Sequence, residues 1–362
     1  MLVPEHIETL ESYQPGKSIE SLHQESGLTE IYKLGSNENP LGPSPKAVEA
    51  IQKNLNQIFR YPDTKALELR QALARKFQVK LENCIVGNGS EGIMSAIMGT
   101  FLHDKDEVLT SSCTFTGFFV LTQARGVKLN TVPLKNYRFD LEGIAAAITP
   151  NTKIIFLCNP NNPTGTIFTK KEFESFIKKV PEGTLIILDE AYAEFALENP
   201  NFPDSMSYRL DNCITLRTFS KLYGLAGMRV GYGFAHEDLI KYILKVKLPF
   251  EPGVLSQTAA LAALEDQKFI KETLQVVQEG KKFLILSFQN LGLQVLPSEA
   301  NFVTLILKNE EEVNRFYERL LKKGIITRPL KNFGLKEGLR ITIGKQEENF
   351  KCAEALQEIS KA

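Results

Sequence analysis

Lys221 sits among hydroxyl groups in Thr218-Phe219-Ser220-Lys221-Leu222-Tyr223-Gly224, just after an apolar run, and Arg229 follows eight residues later. A lysine there has no obvious structural purpose. Its amine can form a Schiff base with an aldehyde once desolvation or nearby cations lower its pKa. A guanidinium nearby suits a phosphate, because its planar fork donates two hydrogen bonds at once. The apolar run Thr184 to Leu188 ends in Asp189-Glu190-Ala191-Tyr192. A carboxylate at the end of a buried strand must be paired or hydrogen-bonded. Asp189 could pair with a protonated pyridine nitrogen and keep that ring an electron sink, with Tyr192 bonding the ring's phenolic oxygen. The plainer alternative for Asp189 is a helix N-cap. Asn162, in Cys158-Asn159-Pro160-Asn161-Asn162-Pro163-Thr164-Gly165, follows another apolar run. Asn-Pro pairs form turns, and the Asn162 amide could donate to a ligand oxygen.

Gly87-Asn88-Gly89-Ser90-Glu91-Gly92 matches the spacing GxGxxG between an apolar run and a helical pattern. A dinucleotide site would need an acidic residue about 20 positions on, at the carboxyl end of the next strand. That end reads Leu109-Thr110-Ser111-Ser112, while Asp106 and Glu107 lie at the other end. No GK[ST] follows, which excludes a P-loop. The phosphate physics survives: glycines let backbone N–H groups approach an anion, and a helix N-terminus favours it. The Ser90 and Glu91 amides and the Ser90 hydroxyl are the candidate donors. A phosphate nest, an amide, a carboxylate and a lysine with an arginine each follow a predicted strand. In open α/β sheets ligands bind at such carboxyl ends. The set points to pyridoxal 5'-phosphate (PLP).

The elements that must position these groups are short β-branched runs alternating with longer helical patterns. Predicted strands are Cys84–Val86, Glu107–Thr110, Lys128–Val132, Lys153–Leu157, Thr184–Leu188, Ile214–Leu216 and Arg229–Phe234. Predicted helices include Lys65–Phe77, Glu91–Phe101, Gly117–Ala124, Lys170–Lys179 and Glu237–Lys245. The alternation implies an α/β architecture with a mainly parallel seven-stranded sheet. Ile154-Ile155-Phe156-Leu157 reads as a strand buried on both faces. Leu248-Pro249-Phe250-Glu251-Pro252-Gly253 breaks the pattern and marks a domain boundary. A long helical stretch, 256–291, is expected next, then a strand at Phe302–Leu307, a helix at Glu311–Lys323 and a strand at Arg340–Ile343. The expected organisation is a large PLP-binding domain, 46–250, and a smaller α+β domain with an N-terminal arm, 1–45 and 251–362.

The 362 residues are long enough for a substantial core without disulfides or metal. Lys plus Arg and Asp plus Glu number 43 each, so no basic excess argues for nucleic acid or an anionic membrane. The five cysteines form no CxxC pair and the four histidines are scattered, so no metal is expected and a reducing compartment fits. Met1 to Leu10 lacks an apolar signal core, and the longest apolar run, Gly92 to Leu102, is too short to span a bilayer. The expected location is the cytoplasm.

At these residues the chain resembles the fold-type-I PLP-dependent aminotransferases, most closely the histidinol-phosphate aminotransferases. The likeness covers essentially the whole chain. It rests on Ser36-Asn37-Glu38-Asn39-Pro40, Arg60-Tyr61-Pro62-Asp63, Gly87–Glu91, Asn161–Gly165, Asp189–Tyr192, Ser220-Lys221 with Gly227 and Arg229, and Leu339-Arg340-Ile341-Thr342. The resemblance implies that Lys221 binds the cofactor and shuttles the proton, and that Asp189 pairs with the pyridine nitrogen. It gives the phenolic oxygen to Tyr192 and Asn162, and the phosphate to Ser90, Glu91, Thr218, Ser220 and Arg229. Phe115 would stack on the ring, where many relatives carry tyrosine. Tyr61 would reach the neighbouring subunit's cofactor phosphate, making a homodimer. Tyr13, Asn37, Arg328 and Arg340 would face the substrate. The implied reaction moves an amino group from L-histidinol phosphate to 2-oxoglutarate, with neither nucleic acid nor membrane as partner. The rivals are an aromatic amino-acid aminotransferase, a threonine-phosphate decarboxylase and, from another class, a non-catalytic ligand-binding module of a regulator.

Overall fold

The computed structural model describes residues 2–12 and 14–361. After a short strand, Tyr32–Lys33 (β1), the middle of the chain forms seven strands. They are Cys84–Asn88 (β2), Glu107–Ser111 (β3), Lys128–Val132 (β4), Thr152–Cys158 (β5), Leu185–Asp189 (β6), Cys213–Thr218 (β7) and Val230–Phe234 (β8). They make one sheet in the order β2-β8-β7-β6-β5-β3-β4. β8 runs antiparallel to both β2 and β7, and the other neighbours are parallel. The expected mainly parallel seven-stranded sheet is therefore present.

Helices cover both faces, which is why the inner strands read as continuous apolar runs. Ile154, Ile155, Phe156 and Leu157 of β5 are all fully buried. The Phe118 ring, on helix Thr116–Arg125, stacks on Phe156 at 4.0 Å between centroids. β4, at the sheet edge, has no fully buried residue. Each parallel strand rises to the same edge, so the loops after β2, β5, β6 and β7 gather there.

A second core is built around the strands that follow residue 290. Gln294–Val295 (β9), Phe302–Ile306 (β10), Ile325–Ile326 (β11), Arg328–Pro329 (β12) and Gly338–Thr342 (β13) are its strands. β12-β13-β10-β9 form an antiparallel sheet, while β11 pairs with β1 from the N-terminal segment. Helices Gln267–Asn290, Glu310–Lys322 and Gln346–Lys361 supply Val277, Leu284, Phe288, Phe316, Leu320 and Leu356 to this core.

Two expectations need correction. The stretch 256–291 is not one helix but two, Val254–Leu264 and Gln267–Asn290. Asp266 breaks it: its side chain caps the second helix by accepting from Phe269 N–H and takes a 2.7 Å bond from the Ser44 hydroxyl. A capping carboxylate stabilises a helix start better than a helix interior. Val254–Leu264 packs on the large sheet's side, its Ala259, Ala260 and Ala263 clustering with Leu73, Phe219 and Tyr223. Arg229 is not a strand residue: its φ of 50° is left-handed, and β8 begins at Val230. Among the described residues no helix is long and apolar enough to cross a membrane.

Candidate active site

One cleft of about 190 Å³ lies at the carboxyl edge of the large sheet, where it meets β12 and β13. Ser90, Glu91, Phe115, Asn162, Asp189, Tyr192, Thr218, Ser220, Lys221 and Arg229 line it, with Asn37, Arg328 and Arg340. With Gly16 also in its lining, residues up to 324 positions apart in sequence, Gly16 and Arg340, thus meet in one place.

One end of the cleft suits a phosphate. Ser90 and Glu91 occupy the first turn of helix Gly89–Phe101, where backbone N–H groups have no partner within the helix. Glycine is required around them. Gly89 has φ +70°, and a Cβ there would come within 2.8 Å of the Arg229 guanidinium. A Cβ on Gly231 would lie 2.4 Å from Ser90 N. The left-handed backbone at Arg229 turns its side chain back to this helix, where Nη2 donates to the Glu91 carboxylate at 3.3 Å. Across the cleft the Thr218 hydroxyl donates to Ser220 Oγ at 2.9 Å and accepts from Ser220 N–H at 3.1 Å.

The middle of the cleft suits a cationic aromatic ring. Asp189 ends β6 with 3 % exposure and accepts one bond, from Ala191 N–H at 3.0 Å. No lysine or arginine among the described residues forms an ion pair with it. Burial pushes its carboxyl up to about 7, helped by the charges of Glu91 and Glu190 and opposed by the Ala191 hydrogen bond and Lys221. Tyr192 is buried too, and its hydroxyl oxygen accepts from Asn37 Nδ2 at 2.9 Å, which leaves its own proton to donate. The Phe115 ring folds back over Gly117, where a Cβ would meet it at 2.6 Å. Lys221 Nζ lies 5.7 Å from the Tyr192 ring centroid, with its closest acceptor, the Ser36 carbonyl, at 3.5 Å. Desolvation, then the cations Arg340 and Arg229, bring the Lys221 amine down to about 8. About a tenth of it is then neutral near pH 7.

The far end carries two guanidiniums. Arg340 donates to Asn162 Oδ1 and, at 2.9 Å, to the Gly35 carbonyl. Arg328 donates to the Gln14 carbonyl at 2.6 Å. Both lie on the Phe333 ring, at 5.5 Å and 5.8 Å from its centroid. Asn37 is held by its N–H to Thr342 Oγ1, at 2.9 Å, and by Asn301 on its carbonyl.

Sequence reasoning missed several contributors. Phe333, Ser36 and Cys158 line the cleft. Asn39 lies beside it and donates to the Lys221 and Leu222 carbonyls at 3.1 Å and 2.9 Å, fixing the backbone that carries the amine. Ser36 and Asn39 belong to the motif Ser36–Pro40, a signal that could have found them; Phe333 has none. Tyr61 does not line the cleft of its own chain. It is 81 % exposed and stacks on Phe250 with centroids 4.4 Å apart. Tyr13 lies outside the described residues.

A buried carboxylate without a cation, an amine with a lowered pKa and an anion cradle kept open by glycines fit PLP. The model of the family "Aminotransferase class I and II" matches residues 29–356. The chain is 43% identical over 359 residues to the histidinol-phosphate aminotransferase of Moorella thermoacetica, covering 98% of this chain and 92% of that one. It is 44% identical over 349 residues to that of Brevibacillus brevis, covering 96% and 95%. The crystal structure of histidinol-phosphate aminotransferase from Sinorhizobium meliloti, in complex with pyridoxal-5'-phosphate, superposes with a TM-score of 0.91 at 30% identity, over 99% of this chain and 98% of that one. The chain belongs to the class I and II aminotransferase family.

Proposed function

We propose that this enzyme transfers the amino group of L-histidinol phosphate to 2-oxoglutarate, giving imidazole-acetol phosphate and glutamate, in histidine biosynthesis. It is a PLP-dependent transaminase. The observation that carries the reading is the joining, in one cleft, of a half-buried lysine with a lowered pKa to two arginines suited to anionic substrates. Full-length identity to proteins named for this reaction supports the donor.

PLP, when bound, condenses with amines and accepts the electron pair released at the carbon next to the substrate nitrogen. The chain's own groups would divide the work as follows. Asp189 holds a proton on the ring nitrogen. Tyr192 and Asn162 donate to the phenolic oxygen, and Phe115 covers one ring face. The Ser90 and Glu91 amides, the Thr218 and Ser220 hydroxyls and Arg229 hold the phosphate. Lys221 Nζ takes the proton from the donor's α carbon. Arg328, Arg340 and Asn37 orient the substrate, a role the family resemblance extends to Tyr13. Water is kept from the proton transfer by the buried walls of Cys158, Tyr192 and Phe333.

The division into a large domain, 46–250, and a small domain with arm, 1–45 and 251–362, belongs to the same reading. Arg340 and Arg328 then come from the small domain and Lys221 from the large one. The exposed apolar side chains Leu55, Ile58, Phe59, Tyr61, Leu248 and Phe250 support a second copy as partner, with Tyr61 reaching its cofactor phosphate. Mixing Tyr61→Phe with Lys221→Ala subunits then restores activity above the sum of the parts, because each hybrid holds one intact site; no recovery on mixing refutes sharing.

The deciding assay is glutamate formation from 2-oxoglutarate by the PLP-loaded protein with histidinol phosphate, phenylalanine or threonine phosphate as donor. The highest kcat/KM belongs to histidinol phosphate if the reading holds. Equal use of phenylalanine makes it an aromatic aminotransferase. Carbon dioxide from threonine phosphate, without glutamate, replaces the reaction.

A further inference from the structure

Behind the cleft, on the opposite face of the same sheet, lies a buried ion pair that the chemistry above does not use. Arg217 donates through Nε and Nη2 to Glu190 Oε2 at 3.0 Å and 2.7 Å. Nη2 also reaches Asp204 Oδ1 at 2.9 Å, and Glu190 Oε1 accepts from Ser205 N–H at 3.1 Å. The Arg217 and Glu190 side chains are 2 % and 0 % exposed. The guanidinium also lies 5.3 Å from the Phe77 ring centroid.

The position of the pair is more informative than its strength. β6 and β7 are parallel neighbours, with Asp189 opposite Leu216, and Glu190 N–H extends the ladder to the Leu216 carbonyl at 2.8 Å. Side chains alternate between faces along a strand. Asp189 and Thr218 therefore point into the cleft, while Glu190 and Arg217 point away from it. Each member of the pair is bonded in sequence to a cleft residue: Glu190 to Asp189, and Arg217 to Thr218. Thr218 in turn pairs with Gly231 of β8, whose Cα backs directly onto Ser90 N. We propose that Arg217 and Glu190 are positioning residues, whose two-point bond fixes the spacing between the ring-binding carboxylate of β6 and the phosphate-binding hydroxyls of β7. This rests on the PLP reading of the cleft.

Stability alone does not account for such a pair. A buried ion pair replaced by well-packed neutral groups is often no less stable, because the desolvation of both charges is avoided. What a neutral pair lacks is direction. A guanidinium held by two bonds to one carboxylate sets both distance and angle between its strands. The ring nitrogen and the phosphate belong to one small molecule and are joined through a short CH2–O arm, so the two strand ends must keep their spacing within a narrow range to hold both.

The test compares purified, PLP-loaded wild type with the neutral double variant Glu190→Gln/Arg217→Met and with Arg217→Lys. Melting temperature, PLP dissociation constant, visible circular dichroism of the bound cofactor, kcat and donor KM are measured for each. The double variant should melt within a few degrees of wild type, yet bind PLP about 10-fold more weakly and lose about 10-fold in kcat, with KM nearly unchanged. Its visible dichroism should fall, because the ring is held at a different tilt. Arg217→Lys, which keeps the charge without the fork, should fall between the two. Wild-type affinity, dichroism and kcat in the double variant overturn the proposal. If the double variant does not fold, unchanged affinity and dichroism in Arg217→Lys overturn it alone. A wild-type protein that shows no visible absorption with PLP overturns the cofactor reading instead, and this inference with it.

Discussion

Asp189 and Glu190 are consecutive, equally buried and both acidic, yet they face opposite sides of one sheet in opposite circumstances. Glu190 looks away from the cleft onto Arg217, which only partly offsets the rise that burial imposes on its carboxyl. Asp189 looks into the cleft and, among the described residues, accepts one hydrogen bond, from a backbone N–H, and joins no ion pair. A protein can leave a charge unbalanced in its interior only at a cost. The side of the sheet that builds the frame balances its charges internally. The side that builds the site leaves a carboxylate, an amine and two guanidiniums for a ligand to balance.

The sharpest break on the chemical side is Lys221→Ala. Among the described residues no other amine lines the cleft, so turnover should fall by about a thousandfold or more, and the visible absorption of lysine-bound cofactor should vanish. Wild-type turnover in this variant would remove the central assignment.

Next in size is the contrast between the two carboxylates in the cofactor-free protein. Asp189 titrates at about 7 in the folded chain against 3.8 when unperturbed. Between those values the folded state holds a proton that the unfolded state has lost. Stability therefore falls as pH rises from about 4 through 7, by up to about 4 kcal/mol. Lys221, brought down to about 8, titrates above that window. Asp189→Asn should remove this slope and make the cofactor-free protein more stable at pH 8, while lowering kcat. Glu190→Gln should instead destabilise, because it strips Arg217 of its main partner, at a cost of about 3 kcal/mol. Urea unfolding at pH 5 and pH 8 separates them. If Asp189→Asn keeps the wild-type slope, or costs more stability than Glu190→Gln, the comparison fails.

The sheet was legible because strands buried on both faces leave unbroken apolar runs, and Lys128–Val132 was found to the residue. The split of 256–291 was not, since periodicity continues across Asp266 and its cap is completed by Ser44, distant in sequence. The left-handed turn at Arg229 was hidden because a non-glycine φ of this sign is imposed by tertiary packing. In the site, residues directly after strands announced themselves: Asp189, Lys221, Asn162 and the Ser90–Glu91 turn. Groups defined by a distant partner did not. Phe333 matters only because two arginines lie on its ring, and Arg217 because Glu190 lies across a strand pair. Tyr61 is the extreme case, exposed on its own chain, so that its proposed role rests on a second copy.

The smallest effect tests the boundary between the two kinds of charge. Glu91 and Arg229 form an ion pair like Glu190 and Arg217, but theirs is 3.3 Å long, with both side chains nearly half exposed, and it lies in the proposed phosphate cradle. An exposed pair of this kind contributes about 0–1 kcal/mol and is screened by salt. The Glu91 carboxylate also repels the phosphate that its own amide should bind. Glu91→Gln keeps the backbone donor and the shape, removes the repulsion and leaves Arg229 to the phosphate alone. The PLP dissociation constant should tighten by about two- to fivefold at low ionic strength, and the gain should shrink as salt is added. The neutral replacement of Glu190 and Arg217 should weaken binding equally at every salt concentration, since its effect passes through geometry. Titrating PLP into the cofactor-free proteins at low and moderate salt distinguishes the two. Weaker binding by Glu91→Gln would mean that its carboxylate holds Arg229 in place for the phosphate, and that the exposed pair, like the buried one, belongs to the frame.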